Sequence, residues 1–378
     1  MSLTFTAVVP FFLYSTGQID LDITLYFAFA QIAFWIAYLI PAQKQIIFSK
    51  RVITDEKKVT YILFVIFFIT FFILTIISYI LLGIPLFKES RLETYAGSGL
   101  GIFARILPFA QIYCIFYGYF IWRDLKRGSL KKLIIVFSFI IFLITGILSG
   151  SRSSFFIFLF VYWGYCFFYL KNIYPIARYY KFLVLGVLIS IFTFVIKSES
   201  FGALDGIIGF GLRVISSGDN YFMALPNNVW ERVLTGPWYT HLFNGLLGPL
   251  RIINSAAGPP PVGYQIAWAV NPTLDGIATG PLSSPALLGF LYFNWGGIIF
   301  SFLLGLFISF FIYKFPKLMP SGLLTSIFFT YFYMQMLSFI QDATLGMAYL
   351  FDSILNFFIF LTLIFLVFRL INLERKLV

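Results

Sequence analysis

One segment, residues 197–284, concentrates the side chains that could do chemistry in an otherwise apolar chain. It holds the only histidine, four cations and five acids: His241, Lys197, Arg213, Arg232, Arg251, Glu199, Asp205, Asp219, Glu231 and Asp275. A histidine accepts a proton near neutral pH, and an arginine binds phosphate oxygens with a planar fork of donors. These residue types favour proton transfer combined with phosphate binding.

Three arginines are candidates for binding a diphosphate. Arg152 lies in a turn of small residues, 149–154, that lets a ligand approach, whereas Arg213 and Arg251 lie in the polar segment. A guanidinium held in place can bind a diphosphate through two parallel hydrogen bonds. The structural alternative is an arginine that reaches lipid phosphates or pairs with a carboxylate to hold the segment at the membrane. Both interpretations stay open for each arginine.

His241 is a candidate general base. A single histidine without a cysteine partner argues against a zinc site, and the sequence predicts no metal and no cofactor. Lone histidines are more often structural residues, but this one lies in the polar segment and has the right pKa range for proton transfer. Asp219, Glu231 and Asp275 are the alternative bases.

Two charged residues fall within apolar stretches outside the polar segment. Arg105 lies a few residues into its predicted helix and is a fourth candidate for diphosphate binding. Asp352 lies ten residues beyond Asp342, hence about 15 Å deep at about 1.5 Å per residue. A carboxylate at that depth is costly and suggests function. The alternatives are a packing ion pair and a protonated acid hydrogen-bonded between helices.

Composition places the chain in a membrane. Of 378 residues, 60% are hydrophobic and 51 are phenylalanine, and the mean hydropathy is +0.94. The net charge of +11 does not indicate nucleic-acid binding, because the cations sit mostly in short segments between apolar runs. The first fifteen residues contain no lysine or arginine, which predicts no cleavable signal peptide. Cys114 and Cys166 lie within apolar runs, so we expect no disulfide.

The predicted fold is an all-α polytopic membrane protein with about ten transmembrane helices. A helix needs about 20 apolar residues to cross the hydrocarbon core. Such helices are predicted at 21–41, 59–82, 101–122, 133–149, 153–170, 182–196, 285–313, 322–340 and 345–369. Residues 2–16 are either a tenth span or an interfacial segment. Within the polar segment, short helices are predicted near 219–234 and 238–254, and proline-rich stretches exclude regular helix at 258–261 and 271–272.

Charge distribution predicts the orientation. Alternate connecting segments and the C-terminal tail hold 18 of the 26 cations, so they are expected on the cytoplasmic side. The polar segment then faces outward, toward the periplasm of a bacterium. The predicted organisation is N-terminal transmembrane helices (1–196), a large periplasmic loop with the candidate active site (197–284) and C-terminal transmembrane helices (285–378).

Several features together resemble a known family. These are the outward Ser-Gly-Ser-Arg turn ending at Arg152, the stretch Arg-Val-Ile-Ser-Ser-Gly-Asp-Asn-Tyr-Phe (213–222) and the stretch Gly-Phe-Leu-Tyr-Phe-Asn-Trp-Gly-Gly (289–297). With many helices and one large late outer loop, the chain resembles the bacterial O-antigen or oligosaccharide repeat-unit polymerases, the Wzy family. The resemblance covers nearly the whole chain in topology but only short patches in residues.

The resemblance implies a metal-independent, GT-C-like glycosyltransferase of the bacterial inner membrane. Its substrates would be undecaprenyl-diphosphate-linked oligosaccharides, polymerised into O-antigen or capsular polysaccharide, with a chain-length regulator protein as a further partner. Arginines would stabilise the leaving diphosphate, and apolar grooves between helices would hold the lipid tails.

Three alternatives remain open at the sequence level. A lipid-linked oligosaccharide flippase or another transporter explains Asp352 and Arg105 but does not need so long an outer loop. A non-catalytic membrane scaffold explains the loop but not the buried acid. An O-antigen ligase differs from the polymerase only in the acceptor.

Overall fold

The computed structural model describes residues 2–40, 56–88, 101–124, 130–150, 154–170, 184, 188, 219–250, 252, 259–277, 280–319 and 322–377. The regular elements in these ranges are helical. The α-helices are α1 (Ser2–Ser15), α2 (Leu21–Leu39), α3 (Glu56–Leu82), α4 (Gly101–Asp124), α5 (Leu130–Leu148), α6 (Ser154–Gly164), α7 (Asp219–Ala224), α8 (Trp238–Leu247), α9 (Val262–Val270), α10 (Pro285–Phe293), α11 (Gly297–Ser309), α12 (Leu323–Met336), α13 (Ser338–Gln341) and α14 (Ala343–Leu377).

Six helical stretches in the described part of the chain are long and apolar enough to cross a membrane. They are Leu21–Leu39, Lys58–Phe87, Gly101–Arg123, Pro285–Leu318, Leu323–Gln341 and Ala343–Ile371. Two shorter apolar helices, Lys132–Leu148 and Phe156–Tyr169, accompany them. This pattern is typical of a multi-pass membrane protein and confirms the all-helical prediction.

The helix boundaries differ from the predicted ones in several places. The span predicted at 285–313 is interrupted at Asn294, which has φ 48° and starts a 3-10 turn, Asn294–Gly296, between α10 and α11. Helix α1 contains 14 residues, about 21 Å at about 1.5 Å per residue, and falls short of a hydrocarbon core of about 30 Å. This length favours the interfacial alternative for residues 2–16. The helix predicted at 182–196 lies outside the described residues, except for positions 184 and 188.

The chain divides into two compact units that each combine distant segments. One unit contains Met1–Phe48, Gly211–Met319 and Gln335–Phe351, and the other contains Ser49–Phe210, Pro320–Met334 and Asp352–Val378. The predicted three-part division follows chain order and remains a prediction.

In the first unit, α2 packs against α11 through small residues. A β-carbon on Gly305 would lie 2.5 Å from the backbone oxygen of Phe34, so only glycine fits there. The Tyr26 hydroxyl donates to the backbone oxygen of Ala286 at 3.0 Å, and the Ser309 hydroxyl donates to that of Tyr38 at 2.7 Å. These contacts fix α10 and α11 against α2.

In the second unit, an aromatic core joins α4 to α12 and α14. The ring of Phe109 lies 5.0 Å from that of Tyr331 and 5.4 Å from that of Phe360. Gly164 lies against Thr330, where any side chain would clash. Cys114 and Cys166 are buried, and neither forms a disulfide.

The described part of the polar segment is folded rather than extended. It contains α7, a 3-10 stretch at Pro226–Arg232, α8 and α9. The predicted helix at 238–254 ends at Leu247. Residues 259–261 and 271 are non-helical as predicted, whereas Pro272 begins a 3-10 turn, Pro272–Leu274. Helix α9 follows Pro261 and was not predicted.

Candidate active site

Helix α8 positions His241 against the end of α10. Trp238 and His241 are three residues apart and therefore share one face of the helix. The Trp238 ring lies 5.8 Å from that of Phe293, and the His241 ring lies 6.0 Å from that of Tyr292. Two residues of α8 thus meet the two residues that end α10, immediately before the break at Asn294.

His241 and Tyr292 are joined by a short hydrogen bond. The Tyr292 hydroxyl oxygen lies 2.6 Å from Nδ1 of His241. His241 is buried, with 7% of its surface exposed, whereas Tyr292 is partly exposed. Burial lowers the pKa of His241 below its ordinary value, and the nearby negative charge of Asp342 opposes that shift only in part. His241 is therefore a neutral imidazole at pH 7, able to accept a proton.

Asp342 organises the backbone around this pair. Its Oδ1 accepts hydrogen bonds from the backbone N–H groups of Thr344 and Leu345, at 2.8 and 3.1 Å, which caps the start of α14. Its Oδ2 accepts bonds from the backbone N–H and the hydroxyl of Ser283, at 3.0 and 2.9 Å. Both carboxylate oxygens accept hydrogen bonds, so Asp342 connects Ser283 to the start of α14 and places a negative charge near His241.

Contacts at Ser284 and Gly245 connect the polar segment to α10 and α14. The Ser284 hydroxyl donates to the Tyr221 hydroxyl at 2.8 Å and accepts from the backbone N–H of Leu287. Burial raises the pKa of Tyr221 to about 12, so it stays a neutral phenol. Gly245 of α8 lies so close to Ala348 of α14 that a β-carbon would come within 2.6 Å. The close packing of Gly245 against Ala348 fixes the helix that carries His241 in place.

A second polar cluster lies in the other unit. The Arg105 guanidinium forms an ion pair with the Asp352 carboxylate. The side-chain amide nitrogen of Asn356 lies within hydrogen-bonding distance of the backbone oxygens of Arg105 and Asp352 and of the Tyr331 hydroxyl, at 2.9, 2.8 and 3.0 Å. The pairing matches the ion-pair alternative for Asp352 and links it to Arg105.

The other predicted site residues are not joined to His241 by a described contact. Glu231 and Asp275 are exposed. Asp219 begins α7, and its side chain lies outside the described part. The three arginines predicted to bind diphosphate, Arg152, Arg213 and Arg251, lie outside the described residues.

Sequence reasoning missed Tyr292 and Asp342 as members of the site. Asp342 carried a readable signal, because an aspartate directly before a long apolar run is a typical helix N-cap. Tyr292 lies in the stretch 289–297 that carries the family resemblance, but nothing in the sequence marks its hydroxyl as a partner of His241. No metal is predicted from the sequence, although Asp20-Leu21-Asp22 is an Asp-x-Asp sequence of a kind that can bind one. Both aspartates are exposed at the start of α2.

The described residues contain no group of three or more metal-ligating histidine, cysteine, aspartate or glutamate side chains. Comparisons with protein-family models, curated proteins and solved structures found no match to this chain.

Proposed function

We propose that this protein is an integral-membrane glycosyltransferase that polymerises undecaprenyl-diphosphate-linked oligosaccharide repeat units. The observation that carries the proposal is the neutral, buried His241. This residue lies in a folded segment between candidate spans and is hydrogen-bonded to Tyr292. Glycosyl transfer to a sugar hydroxyl needs a proton acceptor of this kind, because the hydroxyl stays protonated at neutral pH.

The proposed reaction joins two lipid-linked glycans. The hydroxyl of an incoming unit attacks the anomeric carbon of the growing glycan, and the lipid diphosphate leaves with the bonding electrons. Arg152, Arg213 and Arg251 are proposed to bind that diphosphate and stabilise its developing charge, with Arg105 as a fourth candidate. His241 is proposed to receive the proton, and Asp219, Glu231 and Asp275 are the alternative bases.

The proposed architecture is GT-C-like, with about ten transmembrane helices and one large periplasmic loop at residues 197–284. The six described spans support its coarse form. The bacterial inner membrane is the proposed location, with the active face periplasmic, and a chain-length regulator protein is a proposed partner.

A transporter of lipid-linked oligosaccharide is the second candidate, because the Arg105–Asp352 pair places charge within candidate spans. Intramembrane ion pairs are common along substrate paths. We favour the transferase because a transporter gives no role to a neutral histidine that lies outside those spans and is hydrogen-bonded to Tyr292, near the start of one of them.

The test is incubation of purified protein with a synthetic undecaprenyl-diphosphate-linked repeat unit, followed by gel analysis. A ladder of products spaced by one unit is expected from the wild type and is expected to be lost in His241→Ala. Movement of the same lipid across vesicles, without any ladder, would instead support the transporter.

A further inference from the structure

We propose that Tyr292 takes the proton from the acceptor hydroxyl and passes its own proton to Nδ1 of His241. This inference rests on the glycosyl transfer proposed above and adds a catalytic residue to it. Tyr292 would touch the substrate, and His241 would act through it.

Accessibility supports this order. Only 7% of the His241 surface is exposed, whereas Tyr292 is partly exposed. The two side chains touch through the phenol oxygen and Nδ1. A sugar hydroxyl that reaches the pair from outside therefore meets the phenol before the imidazole.

The hydrogen bond between the two side chains can run in either direction. A neutral imidazole has one N–H and one bare nitrogen, so Nδ1 either donates to Tyr292 or accepts from it. The separation of 2.6 Å makes this a short hydrogen bond. In the proposed relay the Tyr292 hydroxyl donates to Nδ1, and the imidazole proton is on Nε2.

The step balances without any additional reactant. The acceptor oxygen bonds to the anomeric carbon while the bond from that carbon to the diphosphate breaks and its electron pair leaves with the diphosphate. The acceptor proton moves to the Tyr292 oxygen as the Tyr292 proton moves to Nδ1. Tyr292 ends neutral and His241 ends as an imidazolium, which the nearby charge of Asp342 stabilises. Release of that proton to water restores the pair.

The first test reads the tautomer directly. His241 is the only histidine in the chain, so ¹⁵N-histidine labelling of protein purified without a polyhistidine tag yields one imidazole spectrum. In wild-type protein near pH 7 we expect Nδ1 to be bare and hydrogen-bonded and Nε2 to be protonated. A proton on Nδ1 would overturn the proposal, because Tyr292 would then be the acceptor.

The second test removes the relay. Tyr292→Phe keeps the ring but is expected to lower kcat about 10²- to 10⁴-fold, the usual contribution of acid–base catalysis, with little change in KM. The matched control is Tyr239→Phe, which removes the hydroxyl of an exposed tyrosine two residues before His241 and should leave activity unchanged.

The outcomes separate this inference from the proposed function. Near-normal kcat in Tyr292→Phe rejects the relay while polymerisation by the wild type still stands. Absence of product from the wild type rejects the proposed function and, with it, the catalytic role of Tyr292, whatever tautomer the spectrum shows.

Discussion

The Arg105 guanidinium pairs with the Asp352 carboxylate, which lies 247 residues further along the chain. The Arg105 side chain is 27% exposed and that of Asp352 is 10% exposed. Both residues lie in helices apolar enough to cross the membrane, so the pair is held largely away from water. Because the two charges pair with each other, we expect the effects of the two residues on the free energy of unfolding to be coupled.

We expect Arg105→Leu and Asp352→Leu each to lower the thermal stability of the purified protein, and the double variant to recover most of the loss. Breaking a buried pair costs roughly 3–5 kcal/mol because one charge stays unpaired. The partial exposure of Arg105 makes us expect a smaller loss here. Thermal melting in detergent measures it, with Arg123→Leu, an exposed arginine at the end of the same helix, as the control. Losses that simply add in the double variant would show that the two residues are not coupled.

The acid limb of the pH–rate profile should lie below pH 6.5. Burial lowers the pKa of His241, and Asp342 and Tyr292 are the charged and titratable groups described around it. A lowered pKa means that the folded protein binds fewer protons than the unfolded chain between that pKa and about 6.5. Stability from this group is therefore present above pH 6.5 and is lost as pH falls through the folded-state pKa.

Turnover rates from pH 4.5 to 8, together with an NMR titration of His241, measure this dependence. Tyr292→Phe should raise the pKa of His241, because it removes a hydrogen bond that favours the neutral imidazole. An acid limb above pH 7 would contradict a neutral histidine as the proton acceptor.

The three arginines proposed to bind diphosphate should be intolerant of lysine. Alanine at Arg152, Arg213 or Arg251 should abolish or severely reduce polymerisation at normal expression, and lysine should rescue poorly because a point charge cannot reproduce the two-pronged contact. Gel analysis of chain length measures the effect, with Arg232→Ala, an exposed arginine of the same segment, as the control. Wild-type chain lengths in all three alanine variants would show that these arginines serve only as membrane anchors.

Activity should survive EDTA if arginines, rather than a divalent cation, neutralise the leaving diphosphate. Product ladders made with EDTA, and with EDTA followed by Mg²⁺ or Mn²⁺, provide the measurement. The double variant Asp20→Asn/Asp22→Asn tests the exposed aspartate pair at the start of α2. A metal-assisted mechanism would be supported instead if activity is lost in EDTA, if added metal restores it and if the double variant is inactive.

The polar segment should be reachable from the periplasm. An introduced Ser217→Cys is expected to react with a membrane-impermeant thiol reagent in intact cells, whereas Lys57→Cys and Lys131→Cys should react only after permeabilisation, because the cation distribution places them inside. Native Cys114 and Cys166 are buried, so background labelling should be low. The reverse labelling pattern would invert the proposed orientation.

Local composition was enough to predict the spans. Hydropathy is a property of consecutive residues, so the runs that became α2, α3 and α4 were located to within a few residues of their ends. Helix α14 begins close to its predicted start but continues to Leu377, beyond the predicted end at 369. The break at Asn294 was not predicted, because a backbone turn inside an apolar run leaves the hydropathy of that run unchanged. Helix α9 was missed because its nine residues lie between proline-rich stretches that indicated loop.

The sequence by itself determined an all-helical membrane protein with one chemically rich segment and singled out His241, Arg105 and Asp352. Only the tertiary structure decided their partners. His241 meets Tyr292 across 51 residues, and Arg105 meets Asp352 across 247. Such pairs depend on which helix faces pack together. Packing depends on the shapes of the contacting surfaces, as where the absence of a side chain at Gly245 allows close contact with Ala348. A local sequence pattern does not predict such a contact.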